Sequence, residues 1–355
     1  MSIAPPTARG GRVRAARLTD LAALGELSRL SHTGEATNGS ASGERVRSLG
    51  LPVSSSQIGV FGLFRMPLGA FGPSDLLYVY EERGRVAGLA RVERERPRNE
   101  WTIVELDAVD SGVAGDVRFR LIQHLLKDGS KGGAVRFHVA CADSDDNVEL
   151  FMQAGFVRYG EERIFYRSPD QALPEPMTAE ALADAGIRTT VPLDALRLDR
   201  LYRSATPTPV SRLESYRLHD WERQGNHWRI PRSALTPVLR FADVDAFIQD
   251  QGTAQDPEVL GFVQVGVAKE EQPHYLRVIV KPGLDAAELI SFGLGTIGAR
   301  SKARGIGVVS AVRTYESPLD RRLEEQGFEF VANVSLLMKE TMVRVAEPAL
   351  VTAIP

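Results

Sequence analysis

The sequence predicts an α/β (α+β) chain made of two tandem copies of one unit, each a mixed, mostly antiparallel sheet flanked by helices. Three observations predict it. The stretch 134–166, AVRFHVACADSDDNVELFMQAGFVRYGEERIFY, reads as strand, loop, short helix closed by Gly155-Phe156, and a further strand. A degraded copy, GVVSAVRTYESPLDRRLEEQGFEFVANVSLLM, occupies 307–338, where Gly327-Phe328 matches Gly155-Phe156 at an offset of 172 residues. Upstream, RVAGLARV at 85–92 matches EVLGFVQV at 258–265; Gly88 precedes Gly155 by 67 residues and Gly261 precedes Gly327 by 66. Two landmarks repeated with one internal spacing mark a duplication, and two copies make a tandem rather than a solenoid. A length of 355 residues agrees with two domains.

Composition narrows the class. Hydrophobic residues make up 43% and charged residues 25%, enough apolar content to bury a core. With 43 basic against 46 acidic residues, the net charge of −3 argues against nucleic-acid and membrane-surface partners. Cys141 is the only cysteine, so an intrachain disulfide is impossible. The opening MSIAPPTARGGRVRAARL lacks an apolar run of signal-peptide length, and a cytoplasmic location is the expectation.

Along the chain, 1–11 reads as a flexible lead. Alternation over 12–17 predicts a strand, and Thr19-Asp20 would cap a helix over 21–30. Residues 31–56 read as a mobile loop and 59–71 as apolar packing beneath it. Residues 76–80 and 86–92, joined through Glu81-Glu82-Arg83-Gly84, predict a hairpin. Residues 101–109 (WTIVELDAV) predict a strand and 117–126 (VRFRLIQHLL) an amphipathic helix. The first domain therefore spans 12–168.

Residues 169–186, rich in Pro, Ala and acids, read as the linker. The second domain, 187–345, opens with a strand at 187–191 and a helix over 193–202. An amphipathic segment follows Thr206-Pro207-Thr208-Pro209. Strands are expected within 239–247, 259–267 and 275–280, a helix over 285–301, and a flexible end at 346–355.

This pattern resembles the GCN5-related N-acetyltransferases (GNAT), over 12–168 and again over 187–343. The hairpin is similar to that family's central hairpin, 101–109 to its fourth strand, and 117–126 to the helix behind its donor-binding loop. Phe151-Met152-Gln153-Ala154-Gly155-Phe156 is similar to its Y-x-x-x-G-F segment. The resemblance implies a sheet whose fourth and fifth strands splay apart around acetyl-CoA, the acyl donor, with its pyrophosphate at a helix N-terminus. By position, Ala108, Val109, Gly112, Val113, Ala114, Gly115 and Arg118 would hold it. The family's loop, Arg/Gln-x-x-Gly-x-Gly/Ala, falls on Val113-Ala114-Gly115-Asp116-Val117-Arg118, where the basic residue and two small positions are replaced. In the second domain the loop falls on 285–290 (DAAELI), whose acids suit helix capping better than phosphate binding.

The resemblance also implies N-acetyl transfer to a primary amine of a small molecule. That reaction needs a base for the ammonium proton, a donor to polarise the thioester carbonyl, and a proton for the departing thiolate. Glu105 stands where the family often has its base, and Asp107 shares its side of the strand. The family's acid is the Tyr of Y-x-x-x-G-F, here Phe151 and, in the second copy, Leu323; Tyr159 is the nearest substitute. Cys141 reads as a small buried thiol and His138 as a weak base candidate. No metal site is expected: HDWERQGNHW (219–228) has too few ligands and suits an aromatic-lined pocket or packing. Arg300 to Gly305 is a short basic run at a helix end. A homodimer is left open, and the alternative reading is a non-catalytic tandem module that binds a ligand or protein through the same clefts.

Overall fold

Both units contribute their strands to one sheet. The computed structural model describes residues 11–20, 23, 36–38, 75–109, 114–142, 145–222, 230–237, 239, 241–253, 256–269, 272–301, 305–316 and 318–341. The first unit contains β1 (Arg12–Ala15), β2 (Ala36–Asn38), β3 (Asp75–Glu82), β4 (Arg85–Glu95), β5 (Glu100–Val109), α1 (Ala114–Lys131), β6 (Arg136–Ala142), α2 (Asp145–Gln153) and β7 (Val157–Arg167). The second begins after α3 (Ala179–Asp184) with β8 (Ile187–Thr189), α4 (Ala195–Ala205), α5 (Thr208–Glu214) and α6 (Leu218–Trp221). It continues through β9 (Phe241–Thr253), β10 (Asp256–Ala268), β11 (His274–Val280), α7 (Ala287–Arg300), β12 (Val308–Arg313), α8 (Pro318–Glu325) and β13 (Glu329–Glu340).

The strand order is β1-β3-β4-β5-β6-β13-β7-β12-β11-β10-β9-β8, with β2 paired to β5. Each unit's last strand thus lies beside the other unit's: β13 runs antiparallel to β6, and β7 antiparallel to β12. Between them Glu162 faces Val334, two positions separated by the repeat offset, so a pseudo-twofold passes through that pair. The exchange builds the cores across the units. Leu337 of β13 packs in the first unit's core under α1, and Phe165 of β7 in the second unit's core under α7.

The repeated glycines now have physical reasons. Gly155 (φ 85°) and Gly327 (φ 81°) end α2 and α8 in the left-handed conformation that a side chain resists. In each, the following Phe N–H reaches back to close the helix, Phe156 to Phe151 O and Phe328 to Leu323 O, both at 3.0 Å. Phe156 and Phe328 are then buried against the helix they terminate. Gly88 and Gly261 are needed for close approach. A Cβ there would lie 2.7 Å from Val117 of α1 and 2.2 Å from Leu289 of α7.

A third repeated device is an arginine clamp at the start of each unit. Arg14 holds Asp20 through both terminal nitrogens, at 2.6 and 2.8 Å, and Glu81 through Nε at 2.6 Å. Arg188 does the same with Asp194, at 2.8 Å twice, and with Asp250. In both, the Asp also accepts from a backbone N–H three residues back, that of Arg17 or Val191.

Several expectations need correcting. The helix expected over 117–126 starts at Ala114 and runs to Lys131. The linker carries α3, whose Thr178 side chain accepts from Ala181 N at 3.2 Å. Within the expected loop 31–56, Ala36–Asn38 forms β2. The helix over 21–30 (apart from residue 23), the apolar stretch 59–71 and the flexible ends, except 11, lie outside the described residues. The β3–β4 turn is as the sequence implies, with Arg83 and Gly84 both at positive φ, the two-residue loop whose twist matches a hairpin.

Candidate active site

The parallel pair β5–β6 is the origin of the site. Its register holds from Glu100–Arg136 to Ile103–Val139 and then ceases, while β5 continues to Val109 and β6 to Ala142. Opposite β4, the register slips between Arg91 and Val92, so that β5 bulges at Val104. A bulge turns a strand away from its neighbour, and here it falls where the two strands part. Beyond it Leu106 and Ala108 face the core beneath α1, and Glu105 and Asp107 take the other side.

Glu105 is partly exposed and accepts from Arg91 Nε at 3.2 Å; Arg91 lies 3.6 Å from Asp75 as well. Asp107 is buried. Ala108 and Val109 pair through their backbone with Thr37 and Ala36 of β2, on the edge that faces the gap. Ala114 and Gly115 form the first turn of α1 rather than a loop. Arg118 lies one turn into that helix and is buried. Asp116 is exposed and paired with Arg120 at 2.8 Å, one helical turn on. Gly112 and Val113 lie outside the described residues.

Tyr159 is elsewhere. It sits on β7, separated from β5 by β6 and β13, about 14 Å across three strand spacings. Its ring lies 6.5 Å from that of His138, and the Arg313 guanidinium lies 5.9 Å from its centre. Burial pushes its hydroxyl well above the ordinary range. The structure therefore brings Glu105 and Asp107 together and leaves Tyr159 with a different cluster. Phe151 and Leu323, in the position of the resemblance's tyrosine, are core residues.

The second unit repeats the parting of strands. Parallel pairing of β11 and β12 runs only from His274–Val308 to Leu276–Ser310. The residue that pairs where Glu105 does is Arg277, opposite Gln264 as Glu105 is opposite Arg91. Arg277 spans the gap: its Nη1 donates to Ala311 O of β12 at 3.1 Å, and both terminal nitrogens hold Glu316 at 2.7 and 2.8 Å. At 1% exposure this guanidinium closes the gap with protein. At the start of α7, Asp285 accepts from Ala287 N at 2.9 Å and binds Arg322, the capping role its sequence implied.

Between the units lies a buried charge cluster. Arg98 reaches Asp220 at 2.5 Å, Glu100 at 3.0 Å and Glu214 O at 2.6 Å. Arg232 reaches Glu95, Glu100 and Thr102. Arg313 binds Glu162 at 2.9 Å and Glu214 at 2.7 Å. Burial would raise the Glu100 carboxyl, but the His138 hydrogen bond and the two arginines hold it well below the ordinary range. Burial, reinforced by Arg232, lowers His138 to about 4, leaving a neutral ring that donates from Nε2 to Glu100 at 3.1 Å. Burial raises Glu162 against the pull of Arg313. His138 is thus a fixed member of the joint and not a base open to substrate. Of HDWERQGNHW, Asp220 joins this cluster and Trp221 packs on Tyr202 and Tyr216, the packing role; 223–228 lies outside the described residues. Glu100, Glu162, Arg232 and Arg313 had no local sequence signal. Among the described residues no helix is long and apolar enough to cross a membrane, and no group of three metal-ligating side chains occurs.

No protein-family profile and no curated protein matches the sequence. Solved structures do match. A GCN5-related N-acetyltransferase from Sphaerobacter thermophilus aligns over 93% of this chain and 95% of its own, at 16% identity and a TM-score of 0.50. A tandem GNAT protein from the clavulanic acid biosynthesis pathway aligns over 93% and 98%, at 15% identity and a TM-score of 0.49. The chain has the GCN5-related N-acetyltransferase fold, a mixed α/β architecture with a large, mostly antiparallel sheet flanked by helices.

Proposed function

We propose that the chain is an N-acetyltransferase that moves the acetyl group of acetyl-CoA to a primary amine of a small molecule, with the chemistry in the first unit. The observation that carries this reading is the contrast between the two gaps. The second is spanned by Arg277, whereas at the same place in the first stands Glu105, turned sideways to Arg91.

In this reading the thioester lies in the gap beside β5. The backbone of 104–106 orients the donor arm, since β2 pairs along the same edge at 107–109. Residues 112–115 and Arg118 meet the pyrophosphate, where the first-turn N–H groups of α1 and its dipole favour an anion. Glu105, directly or through a water, takes the proton of the substrate ammonium, and Asp107 backs it. The amine nitrogen then attacks the thioester carbonyl, the C–S bond breaks, and the second proton that the nitrogen sheds on becoming an amide passes through water to the thiolate, since Phe151 has none to give. Arg91 shares the Glu105 carboxylate and orients it.

The test is thiol release from acetyl-CoA over a panel of primary amines. Turnover that depends on both substrates supports the reading. No acetyl-CoA binding and no turnover would sink it and leave a binding module with an acetyltransferase fold.

A further inference from the structure

At the end of the sheet away from the second unit's gap, a groove of about 560 Å³ runs between the linker and the end of α7. One wall is 167–176. The other is formed by Gly298 and Ala299 in the last turn of α7, by Ser301 and by Gly305. Arg167 and His274 line it and both are buried, at 6% and 1% exposure.

Arg167 is unlike the arginines of the joint and of the second gap. Arg98, Arg232, Arg277 and Arg313 all meet carboxylates. Arg167 gives Nε to Gln326 O at 2.9 Å, Nη1 to Gln171 O at 3.0 Å and Nη2 to Ala172 O at 2.6 Å, all backbone carbonyls. A guanidinium has five N–H groups, so two are left over. Burial lowers its pKa and no carboxylate acts to raise it. His274 accepts from Ala268 N at Nδ1, 2.9 Å, which puts the ring proton on Nε2 as a donor. The carboxylate on the rim, Glu175, is exposed and free to turn to water.

A buried cation without a counter-charge is costly, and a planar fork suits carboxylate or phosphate. From the groove, the carboxylate-free Arg167 and the His274 donor, we infer that this site binds a small carboxylate- or phosphate-bearing ligand. The opposite wall, the last turn of α7, offers carbonyls without helical partners, and these would accept from hydroxyl or amine groups on the same ligand. The site is separate from the first unit's gap and does not depend on the proposed reaction.

The experiment is thermal unfolding and calorimetric titration of the full chain with inorganic phosphate and, separately, succinate, each against chloride at equal ionic strength. At least one anion is expected to raise the Tm and to bind saturably. Arg167→Gln should weaken that binding at least tenfold. Because that change also frees the linker, Ala299→Glu is the second variant: it places a carboxylate on the groove wall at an exposed helical position. It should weaken binding equally while leaving the circular dichroism spectrum and any acetyl-CoA turnover unchanged. Preference for phosphate or for succinate identifies the ligand class. No response to either anion, or a response of full size in Ala299→Glu, overturns the inference.

Discussion

Glu105 and Arg313 are charged residues with opposite burdens. Glu105 is partly exposed and its pair with Arg91 is screened by water, so Glu105→Gln should leave stability within about 0.5 kcal/mol of the parent. If it is the base, the same change should lower kcat by roughly 100-fold or more, read by thiol release. Arg313 instead lies fully buried between Glu162 and Glu214. Arg313→Met strands both carboxylates and should cost about 3–5 kcal/mol in urea unfolding. Glu162 already has a raised pKa from burial, and losing Arg313 raises it further. Its folded state then takes up a proton at a higher pH than the unfolded chain does. The variant's deficit should therefore grow as pH rises through that window and shrink on acidification; a deficit independent of pH would refute this account of Glu162.

Among elements, the helix stops and the helix–strand contacts were the legible part. Gly155-Phe156 and Gly327-Phe328 announce themselves because a left-handed closure tolerates little else, and Gly88 and Gly261 because a helix rests on them. Gly155→Ala places a Cβ at φ 85° against only the movable end of Lys339, so a loss of about 1–2 kcal/mol is expected. Gly88→Ala meets Val117 at 2.7 Å and the Asp107 carbonyl at 3.0 Å; it should cost more and also disturb β5, seen as a joint fall in Tm and in turnover. The extent of α1 is not legible in the sequence, because the stretch from Val113 to Arg118 aligns with a loop motif whereas Ala114 already opens the helix. The bulge at Val104, which places Glu105 and the parting of the strands, comes from backbone register and leaves no mark in composition. Tyr159 looked close to the site because it follows Gly155 closely in sequence. The insertion of β13 beside β6, a contact between segments some 200 residues apart, is what moves it away.

The whole molecule is one sheet with exchanged ends, and local patterns could show the duplication without showing the exchange. Neither half can complete its core alone, since Leu337 and Phe165 each belong to the other's. Chains 1–177 and 178–355 expressed separately should be poorly folded and should assemble on co-expression; two independently folded monomers would contradict the shared sheet. Two buried histidines, His138 in the joint and His274 in the linker groove, also set the response to acid. His138 and His274 are both held to about 4 by burial, below the ordinary value near 6.5. Between those values the unfolded chain binds protons that the folded chain refuses, so stability falls as pH drops from about 7 toward 4, by roughly 2–3 kcal/mol per histidine. Urea midpoints at pH 7.5 and 5.0 measure the fall, and His274→Gln should flatten part of it.

With Arg277 closing the second gap, the proposed acyl donor should bind once, in the first unit. Calorimetric titration with acetyl-CoA tests it most directly, using the parent, Gly115→Trp at the start of α1, and Leu284→Trp before α7. One site per chain is expected, lost in Gly115→Trp and intact in Leu284→Trp. Two sites, or a single site that Leu284→Trp removes and Gly115→Trp spares, would contradict it.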